Sequence, residues 1–208
     1  MSISVFASDD NTLAEEIEVD YTEQFNQFIE NALKSIDSFY VYTEKKIDVT
    51  EQFLQIYRNE GIEKAHEFVR ENECTLNYQI VEEINPNSRA TIKSRNVYDT
   101  FYTLETCTDG TYRKEWMMKL SGIYSYTADT GAITSARNPT LSIDVANFGA
   151  AWVAYMNNVS TSYNIIGTNS IKFTGKYHMY GKCSPPGIDG ASFTKDFKSH
   201  TVSFTSTE

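Results

Sequence analysis

The sequence has no apolar run long enough to cross a membrane as a helix. Its longest apolar stretch, residues 148–156, is nine residues long, whereas a membrane-spanning helix needs about 20. Basic residues are scarce in the first part of the chain, since residues 1–75 hold 17 acidic and 6 basic side chains and residues 76–208 hold 11 and 12. The net charge is −10. These observations argue against a nucleic-acid partner, because phosphate binding requires a basic surface.

Cysteine and histidine are also few, with three residues of each type, and their spacing fits no metal or redox motif. The sequence has no nucleophile-elbow, zinc-protease, phosphate-loop or dinucleotide signature, and no marked pair of carboxylates for glycosidase chemistry. We therefore predict no catalytic residue, no metal site and no cofactor. In an oxidising compartment two of Cys74, Cys107 and Cys183 can pair, with Cys107 and Cys183 as the favoured couple, but the spacing does not define the connectivity.

The N-terminus has the pattern of a signal-peptide cleavage site. Val5 and Ala7 are small residues at the −3 and −1 positions of such a site, and polar, acidic sequence begins at Ser8. We therefore interpret residues 1–7 as a signal-peptide remnant and predict that the protein is secreted or held at the cell surface.

Residues 8–75 are predicted to form an acidic helical region. Apolar residues at helical spacing indicate a first helix over about residues 20–40. Two further helical segments flank Asn59-Glu60-Gly61, an interruption typical of a helix end followed by glycine.

From residue 76 onward, apolar and polar residues alternate with the period of β-strands that bury one face. The dipeptide Asp109-Gly110 favours a tight hairpin, whose register places Glu105 opposite Lys114 and Thr103 opposite Trp116. Glu105 and Lys114 are then expected to form a cross-strand ion pair. The regular turn signals predict an α+β protein in which an antiparallel β-sandwich of residues 76–208 follows the helices, with a small β-barrel as the alternative.

One short segment of this β-rich region recurs. Residues 119–124 read KLSGIY and residues 172–177 read KFTGKY. The two copies are suited to equivalent strands of two sheets. In each copy the glycine, Gly122 or Gly175, is expected to mark a bulge or a point where a large side chain of another strand crosses.

The clearest strand is predicted over residues 171–183, and its polar face is the best candidate for a binding surface. The inner face is expected to carry Ile171, Phe173, Tyr177, Met179 and Cys183. From the basic, partly aromatic outer face we select four binding residues, Lys176, His178, Tyr180 and Lys182. On an acidic protein such a stripe suits an anionic wall polymer or a glycan. The alternative is a solvated face whose lysines protect a sheet edge.

Two segments, KLSGIYSYTADTGAIT at residues 119–134 and ASFTKDF with HTVSFT within residues 191–205, resemble small secreted all-β proteins of Gram-positive bacteria that lack assigned functions. The resemblance covers about residues 95–208. It implies a secreted β-protein and carries over no functional residue.

The expected function is that of a secreted, non-enzymatic protein that binds a surface component such as a glycan or a cell-wall polymer. Two alternatives remain open. One is a secreted hydrolase. The other is a pore-forming, toxin-like β-protein, because residues 111–137 and 159–183 have the Ser/Thr-rich alternation of hairpins that insert into membranes.

Overall fold

The computed structural model describes residues 21–34, 38–84, 91–185 and 191–208. The predicted signal-peptide remnant at residues 1–7 and the beginning of the acidic helical region lie outside these residues. Within the described part, no helix is both long and apolar enough to cross a bilayer.

Three short helices precede most of the strands: α1 (Tyr21–Leu33), α2 (Thr50–Glu60) and α3 (Ile62–Glu71). Gly61 separates α2 from α3 with a φ of +91°, a value that glycine adopts without steric cost. The predicted helix over residues 20–40 was too long, because α1 ends at Leu33 and Phe39 lies in strand β1 (Phe39–Tyr42). Phe39 and Val41 are buried while Tyr40 between them is exposed, so this stretch follows the period of a strand.

Seven long antiparallel strands follow the helices. They are β2 (Thr75–Ile84), β3 (Ile92–Thr106), β4 (Arg113–Thr127), β5 (Ile133–Asn147), β6 (Trp152–Ile166), β7 (Ser170–Cys183) and β8 (Phe193–Thr207). The first sheet has the order β1-β2-β3-β4-β5 and the second has the order β6-β7-β8. Within the described ranges the strands make two separate sheets and no closed barrel, so the barrel alternative was wrong.

A different layer packs against part of each face of the five-stranded sheet. One face packs against the helices in a core that contains Phe25, Phe53 and Tyr102. The opposite face packs against the three-stranded sheet in an intersheet core that contains Phe101, Trp116 and Phe173. Neighbouring residues of β3 therefore enter different cores, as the two-residue period requires. Among the described residues, no layer covers the outer face of the three-stranded sheet.

The predicted hairpin register is confirmed, but the predicted ion pair within it is wrong. Glu105 lies opposite Lys114, and Thr103 lies opposite Trp116. The Lys114 ammonium instead donates to the carbonyl of Phe148 at 2.8 Å inside the intersheet core. The Glu105 carboxylate pairs with Lys198 of β8, also at 2.8 Å. The partner of Lys114 therefore depends on its burial. The cross-strand position of Glu105 does not determine it.

The two copies of the repeated segment face each other across the intersheet core. A Cβ atom on Gly122 would lie 2.5 Å from the ring of Phe173, and a Cβ atom on Gly175 would lie 3.2 Å from Leu120. The second residue of each copy therefore covers the glycine of the other copy. This contact confirms that a large side chain crosses each glycine.

The three cysteines are buried free thiols. Cys107 and Cys183 both belong to the intersheet core, but the favoured disulfide between them is not formed. Burial raises the pKa of the Cys74 thiol to about 11, so this thiol stays protonated and unreactive at neutral pH.

Candidate functional site

Strand β7 is the centre of the three-stranded sheet, and its side chains alternate between the core and solvent. The predicted inner residues Ile171, Phe173, Tyr177, Met179 and Cys183 are all buried. The four predicted binding residues lie on the outer face, where Lys176 and Lys182 are exposed and His178 and Tyr180 are half-buried. The strand therefore brings the four residues onto one face.

Positive charge on this outer face comes from three lysines of β7. Lys172, Lys176 and Lys182 are exposed, and none of them has an ion-pair partner among the described residues. The opposing positions on β6 and β8 hold mainly hydroxyl and amide side chains, such as Ser160 and Thr201 opposite Lys176. The face thus presents a line of free ammonium groups between rows of uncharged hydrogen-bonding groups.

Three aromatic rings form one stack at the end of this face that is nearer Lys182. The ring of Tyr180 lies 5.4 Å from that of Tyr155 on β6, at 16° between the planes. His178 stacks on Tyr180 at 4.5 Å and 17°. The stack fixes the orientation of His178 and adds a rigid amphipathic surface to the basic stripe.

His178 also connects two polar residues of β8. Its Nδ1 atom is 2.8 Å from the Ser199 hydroxyl, and its Nε2 atom is 2.6 Å from Oδ1 of Asp196. Partial burial acts in the opposite direction, but hydrogen bonds from the Lys198 amide and from His178 hold the pKa of Asp196 below its usual value. Asp196 is therefore a carboxylate at neutral pH and accepts a hydrogen bond from Nε2 of His178.

Asp196 and Ser199 were not among the predicted binding residues, although the sequence contains a signal for them. In a regular strand, residues three apart lie on opposite faces. The buried residues Phe197 and Val202 are five positions apart, and an odd spacing within one buried face requires one inserted residue. The inserted residue is the reason that Asp196 and Ser199 share the outer face.

A polar cleft of about 540 Å³ opens beside the free edge of β8. It lies between residues 198–203 of β8 and residues 101–106 of β3, with the end of β1 at its rim. The backbone of β8 meets the first sheet on either side of this gap, because Thr108 donates to the carbonyl of Asp196 at 2.8 Å and the Gln79 side chain donates to the carbonyl of Thr205 at 3.3 Å.

His200 is the most unusual side chain in this cleft. It stacks on Tyr177 at 5.2 Å, and burial lowers the pKa of its imidazole. Its Nε2 atom lies 2.7 Å from the carbonyl of Phe197, which can only accept a hydrogen bond. The ring is therefore neutral at neutral pH, with Nδ1 as an acceptor.

Asp99 is a buried carboxyl next to the cleft-lining residue Asn77. Its Oδ2 atom accepts a hydrogen bond of 2.9 Å from the amide of Asn77, whereas Oδ1 has no partner within the described residues. Only 1% of the residue is exposed, and burial raises its pKa well above the usual value. Asp99 is therefore protonated in the folded protein under conditions in which an exposed aspartate is ionised.

A second buried polar cluster lies on the helix side of the five-stranded sheet. Nε2 of His66 is 2.8 Å from Glu115 and 3.2 Å from the Tyr102 hydroxyl, and the ring of Phe25 covers the imidazole at 4.6 Å. All three polar residues are buried. This cluster therefore links α3 to the sheet through buried hydrogen bonds. No group of three potential metal-binding side chains occurs in the described ranges.

Comparison with known proteins finds no matching family model, no similar curated protein and no similar solved structure.

Proposed function

We propose that the protein binds an anionic glycan or wall polymer through the outer face of the three-stranded sheet. The observation that carries the proposal is a line of three lysines, Lys172, Lys176 and Lys182, which have no ion-pair partner among the described residues and lie on an exposed face of a chain with a net charge of −10. The net negative charge of the whole chain repels a polyanion at long range. The local stripe has to provide the attraction. Among the described residues of this face, the acid Asp196 is hydrogen-bonded to His178.

The spacing of the lysines suits an extended polymer. Lys172 and Lys176 are four residues apart on one strand, which corresponds to about 13 Å at the usual rise of a β-strand. This separation is longer than the screening length of about 8 Å at physiological salt. Each lysine therefore attracts an anionic group independently of the other. A polymer with regularly repeated carboxylates or phosphates can contact several of them at once.

The rings of Tyr155, Tyr180 and His178 support a sugar-containing ligand over a simple polyanion. Tyrosine supplies a large, rigid contact area at low cost in conformational entropy, together with a hydroxyl group. The hydroxyl rows of β6 and β8 supply further donors and acceptors. In this proposal the two sheets act as a β-sandwich that displays one flat binding face.

Removal of Lys176 and Tyr180 tests the proposed site. We expect the unmodified protein to be retained on immobilised polygalacturonate and to elute as sodium chloride rises from about 0.05 M to about 0.5 M, because exposed charges are screened over this range. The double variant Lys176→Ala/Tyr180→Ala should flow through. Its melting temperature should stay unchanged, since surface substitutions usually alter stability by less than about 0.5 kcal/mol.

A matched control is the double variant Lys64→Ala/Tyr40→Ala, which removes the same two residue types from exposed positions on α3 and β1. It should bind as the unmodified protein does. Failure of the unmodified protein to bind any anionic polymer would refute the function. Equal loss of binding in both double variants would refute the site.

We also propose that the protein is exported, which the pattern of Val5 and Ala7 before an acidic start supports. Expression of the full gene in its host and N-terminal sequencing of the extracellular protein are expected to give a mature chain that begins at Ser8. A protein found only inside the cell with Met1 intact contradicts export and leaves the binding proposal unaffected.

A further inference from the structure

We propose that Ser199 is a nucleophile that removes ester-linked acyl groups, with His178 as its general base and Asp196 as the residue that orients His178. The substrate class, an O-acylated glycan, rests on the proposed binding function. The identity of the nucleophile does not.

The hydrogen bonds assign a role to each member of this relay. A carboxylate only accepts hydrogen bonds, so Nε2 of His178 carries the proton that is shared with Asp196 at 2.6 Å. Nδ1 then has a free lone pair, 2.8 Å from the hydroxyl oxygen of Ser199. A nucleophile next to a base, with the base oriented by a third group, is the arrangement that activates serine.

The backbone departs from regular strand geometry on both sides of His178 and at no other point in the described part of this sheet. The register shifts by one residue on β6 between Asn157 and Ser160 and on β8 between Asp196 and Ser199. Bulges of this kind re-aim side chains and are frequent next to active sites.

Each of these bulges contains a non-glycine residue with a positive φ. Asn158 has a φ of +54° and Lys198 has a φ of +72°. Lys198 also donates its backbone N–H to Oδ1 of Asp196 at 2.7 Å. An ordinary histidine on a solvated sheet requires neither bulge, so the strained backbone is evidence for a built site.

Neighbouring side chains supply the remaining requirements of acyl transfer. Ser199 is exposed, and Asp196 is partly exposed, so a polymer can reach the hydroxyl group. Lys176 lies on the same face two residues before His178 and diagonally across from Ser199, within reach of a long side chain. In this proposal the Lys176 ammonium group stabilises an oxyanion that forms near Ser199.

The reaction proceeds in two balanced steps. Ser199 Oγ attacks the ester carbonyl carbon, and its proton moves to Nδ1 of His178. The tetrahedral intermediate then collapses, the C–O bond to the glycan breaks, and the glycan oxygen takes the proton from Nδ1. In the second step water attacks the carbonyl carbon of the acyl-serine and gives a proton to Nδ1. The bond between that carbon and Ser199 Oγ then breaks, Oγ takes the proton back from Nδ1, and the acid is released.

Covalent labelling tests the nucleophile independently of glycan binding. The full chain is incubated with an alkyl fluorophosphonate, which forms a phosphorus–oxygen bond to an activated serine and loses fluoride, and the modified peptide is identified by mass spectrometry. We expect one adduct, on Ser199, and at least about 100-fold slower labelling of His178→Gln, since a general base contributes about 10²–10⁴ in rate.

Ser203→Ala is the matched control, because Ser203 lies on the outer face of the same strand. It should be labelled as the unmodified protein is, and Ser199→Ala should not be labelled. Absence of an adduct on Ser199, or equal labelling of His178→Gln, overturns the proposal.

A second measurement separates this proposal from the proposed function. The protein is incubated with O-acetylated polygalacturonate, and released acetate is measured. Both proposals are supported if the unmodified protein releases acetate, if Ser199→Ala releases none, and if Ser199→Ala is still retained on polygalacturonate. Labelling of Ser199 without acetate release overturns the substrate class and keeps the nucleophile. Retention without labelling leaves a binding protein and removes the enzyme.

Discussion

Replacement of Phe173 by alanine is expected to lower the free energy of unfolding by about 3–5 kcal/mol, the usual cost of truncating a buried phenylalanine. The side chain is fully buried, covers Gly122 of the opposite sheet and packs against Phe204 at 5.3 Å between ring centroids. Removal of the ring leaves a cavity between the two sheets, because their backbones cannot move closer to fill it. Equilibrium unfolding in urea measures the loss.

A double-mutant cycle with Gly122→Ala shows whether the contact itself is responsible. A Cβ atom at residue 122 would lie 2.5–2.7 Å from three ring atoms of Phe173, so Gly122→Ala alone should destabilise the protein by about 1–3 kcal/mol through overpacking. In the Phe173→Ala background the added methyl group has room. The two losses should therefore not add, and the double variant should be no less stable than Phe173→Ala alone.

Lys176→Ala is the control on the opposite face of the same strand and should change stability by less than about 0.5 kcal/mol. Additive losses in the cycle contradict the reciprocal packing of the repeated segments. A large loss of stability in Lys176→Ala would contradict the conclusion that no layer covers the outer face.

Local patterns predicted most of the sheet correctly, for identifiable physical reasons. The two-residue period of β7 separated Phe173 and Tyr177 from Lys176 and His178, because that sheet is buried on one face only. The register of β3 and β4 followed from the Asp109-Gly110 turn, since a short hairpin loop leaves few alternative pairings.

Features that depend on contacts distant in sequence were not predictable in the same way. Glu105 found its partner on β8, 93 positions further along the chain, and Phe39 became part of a strand because β2 lies beside it. The sequence pattern predicted only one part of the candidate site. The outer face and His178 follow from periodicity, whereas Asp196 and Ser199 depend on a bulge that only the odd spacing from Phe197 to Val202 indicates.

The carboxyl group of Asp99 is expected to make the protein less stable as pH rises. An unfolded chain loses this proton above about pH 3.9, whereas burial raises the pKa of Asp99 in the folded protein. Between these two pKa values the folded state binds one more proton than the unfolded state. The free energy of unfolding therefore falls with rising pH across this window, by at most about 1.4 kcal/mol per pH unit from this one group.

Asp99→Asn removes the titration and keeps an oxygen atom to accept the hydrogen bond from Asn77. The stability of the variant relative to the unmodified protein should be constant below about pH 3.9 and should increase steadily above it. Urea unfolding of both proteins at a series of pH values from about 3 to about 8 gives this difference directly, because all other titrating groups are shared.

Asp109→Asn is a control with the opposite sign. Hydrogen bonds from Cys107, Lys195 and Thr111 lower the pKa of the exposed Asp109 carboxyl, so its ionised form favours the folded state. The relative stability of Asp109→Asn should decrease as pH rises through the usual range of an aspartate. The difference in free energy of unfolding between Asp99→Asn and the unmodified protein could instead stay constant from about pH 4 to about pH 8. That result would mean that Asp99 is ionised in the folded protein and that a cation or a hydrogen-bond donor beside the cleft contacts its Oδ1 atom.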